Sequence, residues 1–323
     1  MLKNCVLFTL SANQELGKKV AAALGMELSP VSVKRFPSGE IIAESIETVR
    51  GKNVYIIQST CPPVNENLME LLIFVDSLKR SSAAEINVII PYFGYARQDR
   101  KAKPRQPISA RLVADLLKVS GVTRVVTVDL HAPQIQGFFS CLVDELATAP
   151  LYVATFLQDS HFNTKNLVTV SPDHGGVTRA RKIADGLNTT LAIIDKRRNS
   201  RLEPEVMNII GSVEGKDCLI VDDMIDTAGS ACAAADALIN AGAKSVKIIA
   251  THAVLSDPAF ERLSKSKFNQ IIVSDSIPLP ERFKELNCKV ISLAPMLAAS
   301  IKKIQLGEPL SVVYDMYKVE DHD

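Results

Sequence analysis

Short apolar bursts recur along the chain, and between them come longer stretches in which apolar residues return every three or four positions. The bursts at 53–58, 86–90, 125–128, 167–170, 218–221 and 246–250 are dominated by Val and Ile and read as strands. The stretches at 67–75 and 109–117 read as helices. A burst that is apolar at nearly every position fits a strand covered on both faces. The alternation therefore predicts an α/β fold in which parallel sheets are flanked by helices.

The pattern also repeats. Sliding the chain by 121 residues lays 109–121 over 230–242, and the match runs without a gap to His131-Ala132 over His252-Ala253. Nine of those 24 positions are identical. Any two helix–Gly–strand units share some likeness, because Gly closes helices. The paired Asp115/Asp236 and His131/His252 favour duplication over that simpler account. A length of 323 residues suits about two domains. The expected division is a domain at 1–149, a second at 150–303 and a tail at 304–323 packing back on the first. In each copy a His follows the strand at its C-terminal end, where open α/β sheets hold ligands. For His252 a local hydrogen-bonding role is the simpler reading.

Composition narrows the class of protein. The chain is 47% hydrophobic and 23% charged, which excludes disorder. With 37 Lys+Arg against 36 Asp+Glu, the net charge of +1 offers no basic field for coating nucleic acid. Cys5, Cys61, Cys141, Cys218, Cys232 and Cys288 form no CxxC pair, so neither a zinc site nor a disulfide framework is indicated. No apolar run is long enough to span a membrane, and the apolar stretch at 5–10 is too short for a secretory signal. Cytoplasm is the expected compartment.

The sharpest chemistry lies at 218–230, CLIVDDMIDTAGS. An apolar strand delivers Asp222 and Asp223, and a loop with Asp226, Thr227, Ala228, Gly229 and Ser230 then opens a helix. Small loop residues let backbone N–H groups approach a phosphate, and the helix N-terminus favours its charge. Three aspartates beside a phosphate fit only if they face sugar hydroxyls or water-bound Mg²⁺. A plain Ser-capped helix would not require two adjacent acids at the end of a buried strand.

This segment resembles the ribose-phosphate loop of type I phosphoribosyltransferases and of ribose-phosphate diphosphokinases (phosphoribosyl pyrophosphate synthetases). The second family is favoured by VDLHAPQIQGFF at 128–139, PYFGYARQDRK at 91–101, SPDHGG at 171–176 and DKRR at 195–198, in the family's order and spacing. The likeness runs from Lys34 to about Tyr314. It implies two tandem duplicated domains of phosphoribosyltransferase type I fold. It also implies transfer of the β,γ-diphosphoryl group of MgATP to the C1 hydroxyl of ribose 5-phosphate, with release of AMP.

Residue roles follow from the same resemblance. Lys196 and Arg198 match the catalytic cations, and Arg198 with Asp222, Asp223 and 226–230 matches the ribose 5-phosphate site. His131 and Asp173 match ligands of the Mg²⁺ cofactor. Phe36, Ser38, Gly39, Glu40, Arg97, Gln98 and Asp99 match ATP-contacting positions. Ser38 stands where Asp or Asn is usual, which bears on how strictly ATP is preferred. His174 matches no fixed position. The loop at 99–107 carries Arg100, Lys101, Lys103 and Arg105 with Pro104 and Pro107, and reads as a charged lid over phosphates. The segment at 36–40 reaches a neighbouring subunit in this family, which implies a homo-oligomer, typically a hexamer.

Two departures touch regulation by phosphate and ADP. Thr48, Arg50 and Ser82 are retained, as are Ser311 and Tyr314. Glu145, after Asp144, stands where Asn is usual, and Pro309 replaces a hydroxyl residue. A carboxylate facing an anion site lowers affinity, so weakened phosphate activation is expected. A phosphoribosyltransferase is disfavoured by the duplication and by the ATP segment. A non-catalytic homologue is disfavoured by the intact motifs.

Overall fold

The computed structural model describes residues 2–160, 162–197 and 206–318. The chain divides into two compact units. Unit 1 comprises residues 1–147, 276–278 and 292–313; unit 2 comprises 148–275, 279–291 and the terminal residues from 314.

Unit 1 begins with β1 (Cys5–Thr9), α1 (Gln14–Leu24) and the hairpin β2 (Val31–Arg35) and β3 (Ile41–Ser45). It continues through β4 (Asn53–Ile57), α2 (Val64–Arg80), β5 (Glu85–Ile90), α3 (Ser109–Ser120), β6 (Arg124–Val128) and β7 (Leu142–Leu146). Its five-stranded sheet has the order β1-β4-β5-β6-β7, and every neighbouring pair is parallel. The middle strands are mostly apolar because helices cover the sheet. Val54, Ile56, Val88 and Ile90 are fully buried and share a core with Leu71, Phe74 and Leu78 of α2.

Unit 2 runs α4 (Ala149–Leu157), β8 (Leu167–Ser171), α5 (Val177–Leu187), β9 (Thr190–Arg197), β10 (Val206–Ile210) and β11 (Asp217–Ile225). It ends with α6 (Gly229–Asn240), β12 (Ser245–Ala253), α7 (Ala259–Ser264), β13 (Gln270–Ser274) and β14 (Cys288–Ile291). The seven-stranded sheet has the order β10-β9-β8-β11-β12-β13-β14, and only β10 is antiparallel to its neighbour. From β8 the chain first builds toward β9 and β10, then crosses to the other side with β11. That reversal makes the gap between β8 and β11 the switch point where such sheets bind ligands.

The boundary expected at 303 is corrected by the structure. It falls inside α8 (Ala294–Leu306), which packs on α1 within unit 1, so the return begins at Ser292 rather than at a short tail. The reason lies in the end of α8. Gln305 accepts hydrogen bonds from the buried Tyr55 hydroxyl (3.0 Å) and the Asn53 amide (3.2 Å), and donates to the Lys3 carbonyl (3.0 Å).

The structure corrects the repeat at offset 121: β1-α1-β2-β3-β4-α2-β5-α3-β6-β7 runs in the same order as β8-α5-β9-β10-β11-α6-β12-α7-β13-β14, so the equivalent of α6–β12 is α2–β5, and that of α3–β6 is α7–β13. His131 and His252 therefore hold different places in their sheets. Asp129 takes φ +40° and turns the chain out of the sheet, so His131 is exposed. In unit 2 β12 stays extended through Ala253, which leaves His252 inside the sheet at 2% exposure.

Candidate active site

In unit 2 the acidic strand β11 reaches past its neighbour. Its pairing with β8 stops at Ile220 opposite Val170, while its pairing with β12 continues to Ile225 opposite Ala253. Asp222 and Asp223 therefore sit at the open switch point. Asp223 is 4% exposed, and its carboxylate meets Arg179 Nη1 from α5 at 3.4 Å. The Asp223 backbone N–H donates to Asp222 Oδ1 at 2.9 Å. Burial, and next the adjacent Asp223 carboxylate, push the Asp222 acid well above the usual carboxylate range. Arg179 belongs to no sequence motif; only the fold brings it to the acids.

The strand runs further than its apolar burst indicates, so the loop before α6 is only 226–228. Ala228 is left-handed (φ 59°, ψ 1°), and α6 then starts at Gly229 with no side-chain cap. A left-handed residue directly before a helix gathers successive N–H groups on one concave side, an anion nest at the positive end of the helix. Thr227 and Ser230 are exposed beside it, whereas Ala228 is buried.

Asp173 follows β8 and is exposed. Its Oδ1 accepts the Gly176 N–H at 2.9 Å, and its carbonyl accepts the Ser171 hydroxyl at 2.7 Å. A carboxylate thus caps the approach to α5. His174 Nε2 lies 3.8 Å from Asp195 Oδ1 on β9. Lys196 is on β9 opposite Met207 of β10. Arg198 lies outside the described residues.

Unit 1 carries the remaining set. Residues 36–40 form the tip of the β2–β3 hairpin. Phe36 N–H donates to the Glu40 carbonyl, and Gly39 N–H to the Phe36 carbonyl, each at 2.9 Å. Gly39 has φ +89°, a backbone that strongly favours glycine. Phe36 is half exposed, while the Ser38 hydroxyl donates to Glu40 Oε2 at 2.7 Å. The turn end of the hairpin is pinned to α2, because Arg35, next to the tip, pairs with Glu66 and with the fully buried Glu70, which also accepts the Ser11 N–H at 2.8 Å.

Arg97 and Gln98 are exposed, and Asp99 is half-buried and bonded to Gln134. Gln98 Oε1 accepts the Ser109 hydroxyl at 2.5 Å, and its carbonyl accepts the Ala110 N–H at 3.2 Å, so this residue anchors the start of α3. Residues 100–108 are exposed and form neither helix nor strand. Of the regulatory positions, Arg50 Nη1 and Ser82 Oγ are 3.1 Å apart. Glu145 is not a loose charge, since its carboxylate accepts the Leu130 N–H at 2.9 Å and bonds Gln136.

Comparison with known proteins identifies the family. Residues 5–121 match the N-terminal domain of ribose phosphate pyrophosphokinase, and residues 143–281 match the phosphoribosyl transferase domain. A ribose-phosphate pyrophosphokinase of Fusobacterium nucleatum is 52% identical over 97% of this chain and 98% of its own length. One from Oceanobacillus iheyensis is 48% identical over 96% of both chains. The crystal structure of phosphoribosylpyrophosphate synthetase from Mycobacterium smegmatis superposes with a TM-score of 0.89 at 42% identity, covering 94% of this chain and all of that one. With two α/β domains of phosphoribosyltransferase type, this chain belongs to the ribose-phosphate pyrophosphokinase family of diphosphate-transferring enzymes.

Proposed function

We propose that this enzyme transfers the β,γ-diphosphoryl group of MgATP to the C1 hydroxyl of ribose 5-phosphate, giving 5-phosphoribosyl 1-diphosphate and AMP for nucleotide biosynthesis. The observation that carries the reading is the pairing of Asp222 and Asp223 with an uncapped α6 N-terminus at the switch point of unit 2. Acids accept the sugar hydroxyls, and the nest takes the 5-phosphate. The exposed hairpin tip and the Arg97–Gln98 segment of unit 1 supply purine and phosphate contacts. Lys196 and Arg198 supply positive charge to the transferring group, where charge grows in the transition state.

Mg²⁺ is the implied cofactor, with Asp173 and His131 as the residues to hold it. The exposed Asp173 carboxylate offers the hard oxygen that Mg²⁺ prefers, and exposed His131 is a softer second ligand. Among the described residues no three or more His, Cys, Asp or Glu side chains cluster into a cage. That suits a cation that keeps water and shares substrate phosphates. When bound, Mg²⁺ would offset charge on the ATP phosphates.

The partner in assembly is a second copy of this chain, in keeping with a hexamer. Ile108, Leu112, Leu116 and Val119 line one face of α3 and its entry, with Leu112 57% and Val119 75% exposed. Spacing of four, four and three residues makes this a continuous stripe, distinct from the buried face of Ala110, Val113, Ala114 and Leu117. Among the described residues no helix is long and apolar enough to cross a membrane. With six free cysteines, the cytoplasm is the compartment this reading favours.

The test mixes purified protein with MgATP and ribose 5-phosphate and follows AMP. Release that requires the sugar phosphate supports the reading; release that ignores it, or none, contradicts it. The same assay across a phosphate titration addresses regulation. Bonds to the Leu130 N–H and Gln136 hold the Glu145 carboxylate in place, so weakened phosphate activation is expected, and strong phosphate dependence would refute it.

A further inference from the structure

Arg262 belongs to none of the motifs above, yet it reaches the phosphate loop. It rises from α7, a short helix fixed by buried Ala259 and Leu263. Its Nη1 donates to the Thr227 carbonyl at 2.9 Å. The same nitrogen lies 3.1 Å from where a Cβ on Gly229 would stand, so the guanidinium covers the first residue of α6. A second tie fixes the same region, since the Leu255 N–H between β12 and α7 donates to the Ile225 carbonyl at 3.0 Å.

The electrostatics of this placement call for an anion. The N-terminus of α6 is the positive end of its helix, and a guanidinium there is opposed by the helix dipole. One carbonyl bond uses one of five donors. A guanidinium held beside an uncapped helix start becomes favourable when a phosphate with several acceptor oxygens bonds both.

We propose that Arg262 is a substrate-binding residue: one N–H holds the Thr227 carbonyl, and the remaining donors bind the phosphate of ribose 5-phosphate over α6. This rests on the reaction proposed above and adds a ligand from outside the loop. It gives the loop a ligand fork that backbone N–H groups alone lack.

Calorimetry with ribose 5-phosphate, and separately with MgATP, tests it on wild type, R262Q and R262A. R262Q keeps an amide able to donate to Thr227 but loses the charge and the fork. Binding of ribose 5-phosphate should weaken roughly ten- to a hundredfold in both variants, as expected for a lost charge-assisted bond, while MgATP affinity holds. Low millimolar guanidinium should restore part of the affinity of R262A, an effect that a loosened fold would not produce. Wild-type affinity in R262Q would overturn the assignment, as would an equal loss of MgATP binding. AMP release measured on the same samples separates the two proposals. Arginine-dependent sugar-phosphate binding without turnover contradicts the reaction and keeps Arg262, whereas a wild type that binds no ribose 5-phosphate overturns both.

Discussion

Asp222 shows how a functional residue works against the fold that holds it. Burial and the neighbouring Asp223 raise its pKa, so the folded chain keeps a proton that the unfolded chain has already lost. Stability from this group is complete below the ordinary carboxylate range and declines as pH rises through the raised value. Asp222→Asn removes the penalty. Its melting temperature should exceed that of wild type near neutral pH, and the gain should shrink toward about pH 4, where the unfolded carboxylate also protonates. The same variant should lose ribose 5-phosphate binding. A lower melting temperature at all pH values would contradict this account. Lys196→Ala is expected to lower kcat by orders of magnitude with little change in KM, because its charge acts mainly in the transition state. A KM effect alone would place Lys196 in ground-state binding.

At the scale of elements, turns and close approaches position the chemistry. Gly94 sits before the Arg97–Gln98 segment. Its N–H donates to Thr60 Oγ1 at 2.7 Å, and a Cβ there would stand 2.4 Å from the Thr60 carbonyl oxygen. Gly94→Ala must therefore move backbone, and a loss of about 1–3 kcal/mol in chemical denaturation is expected. Unchanged stability would mean that the loop yields freely. Strands at 86–90, 167–170 and 246–250 are legible in the sequence because covered strands leave little room for polar residues. The β2–β3 hairpin is not legible: Lys34, Arg35, Glu40 and Glu44 give it a polar pattern, and Arg35 is paired by Glu66 and Glu70 from α2, 31 and 35 residues away. The acidic loop was readable as a motif, whereas its partners Arg179 and Arg262 were not. Each is an ordinary helical arginine until the sheet order brings α5 and α7 beside β11.

At the scale of the whole molecule, duplication supplied one topology and divergence supplied two roles. The matched histidines are not equivalent: exposed His131 follows β6, beyond Asp129 at φ +40°, whereas buried His252 lies within β12, the counterpart of β5. The near-neutral total charge hides acids gathered in one copy and a cationic loop in the other. The exposed apolar stripe on α3 is expected to be covered by a second copy. Replacing Leu112 and Leu116 together with Glu should lower the mass seen by light scattering while circular dichroism stays that of a folded chain. An unchanged mass would move the interface elsewhere. The central claim concerns which phosphorus atoms move, and ³¹P NMR of the reaction reads this directly. The account predicts that the β and γ resonances of ATP are lost together as AMP and a C1-linked diphosphate rise in equal amounts, only when ribose 5-phosphate is present. Appearance of ADP or orthophosphate in place of AMP would contradict it.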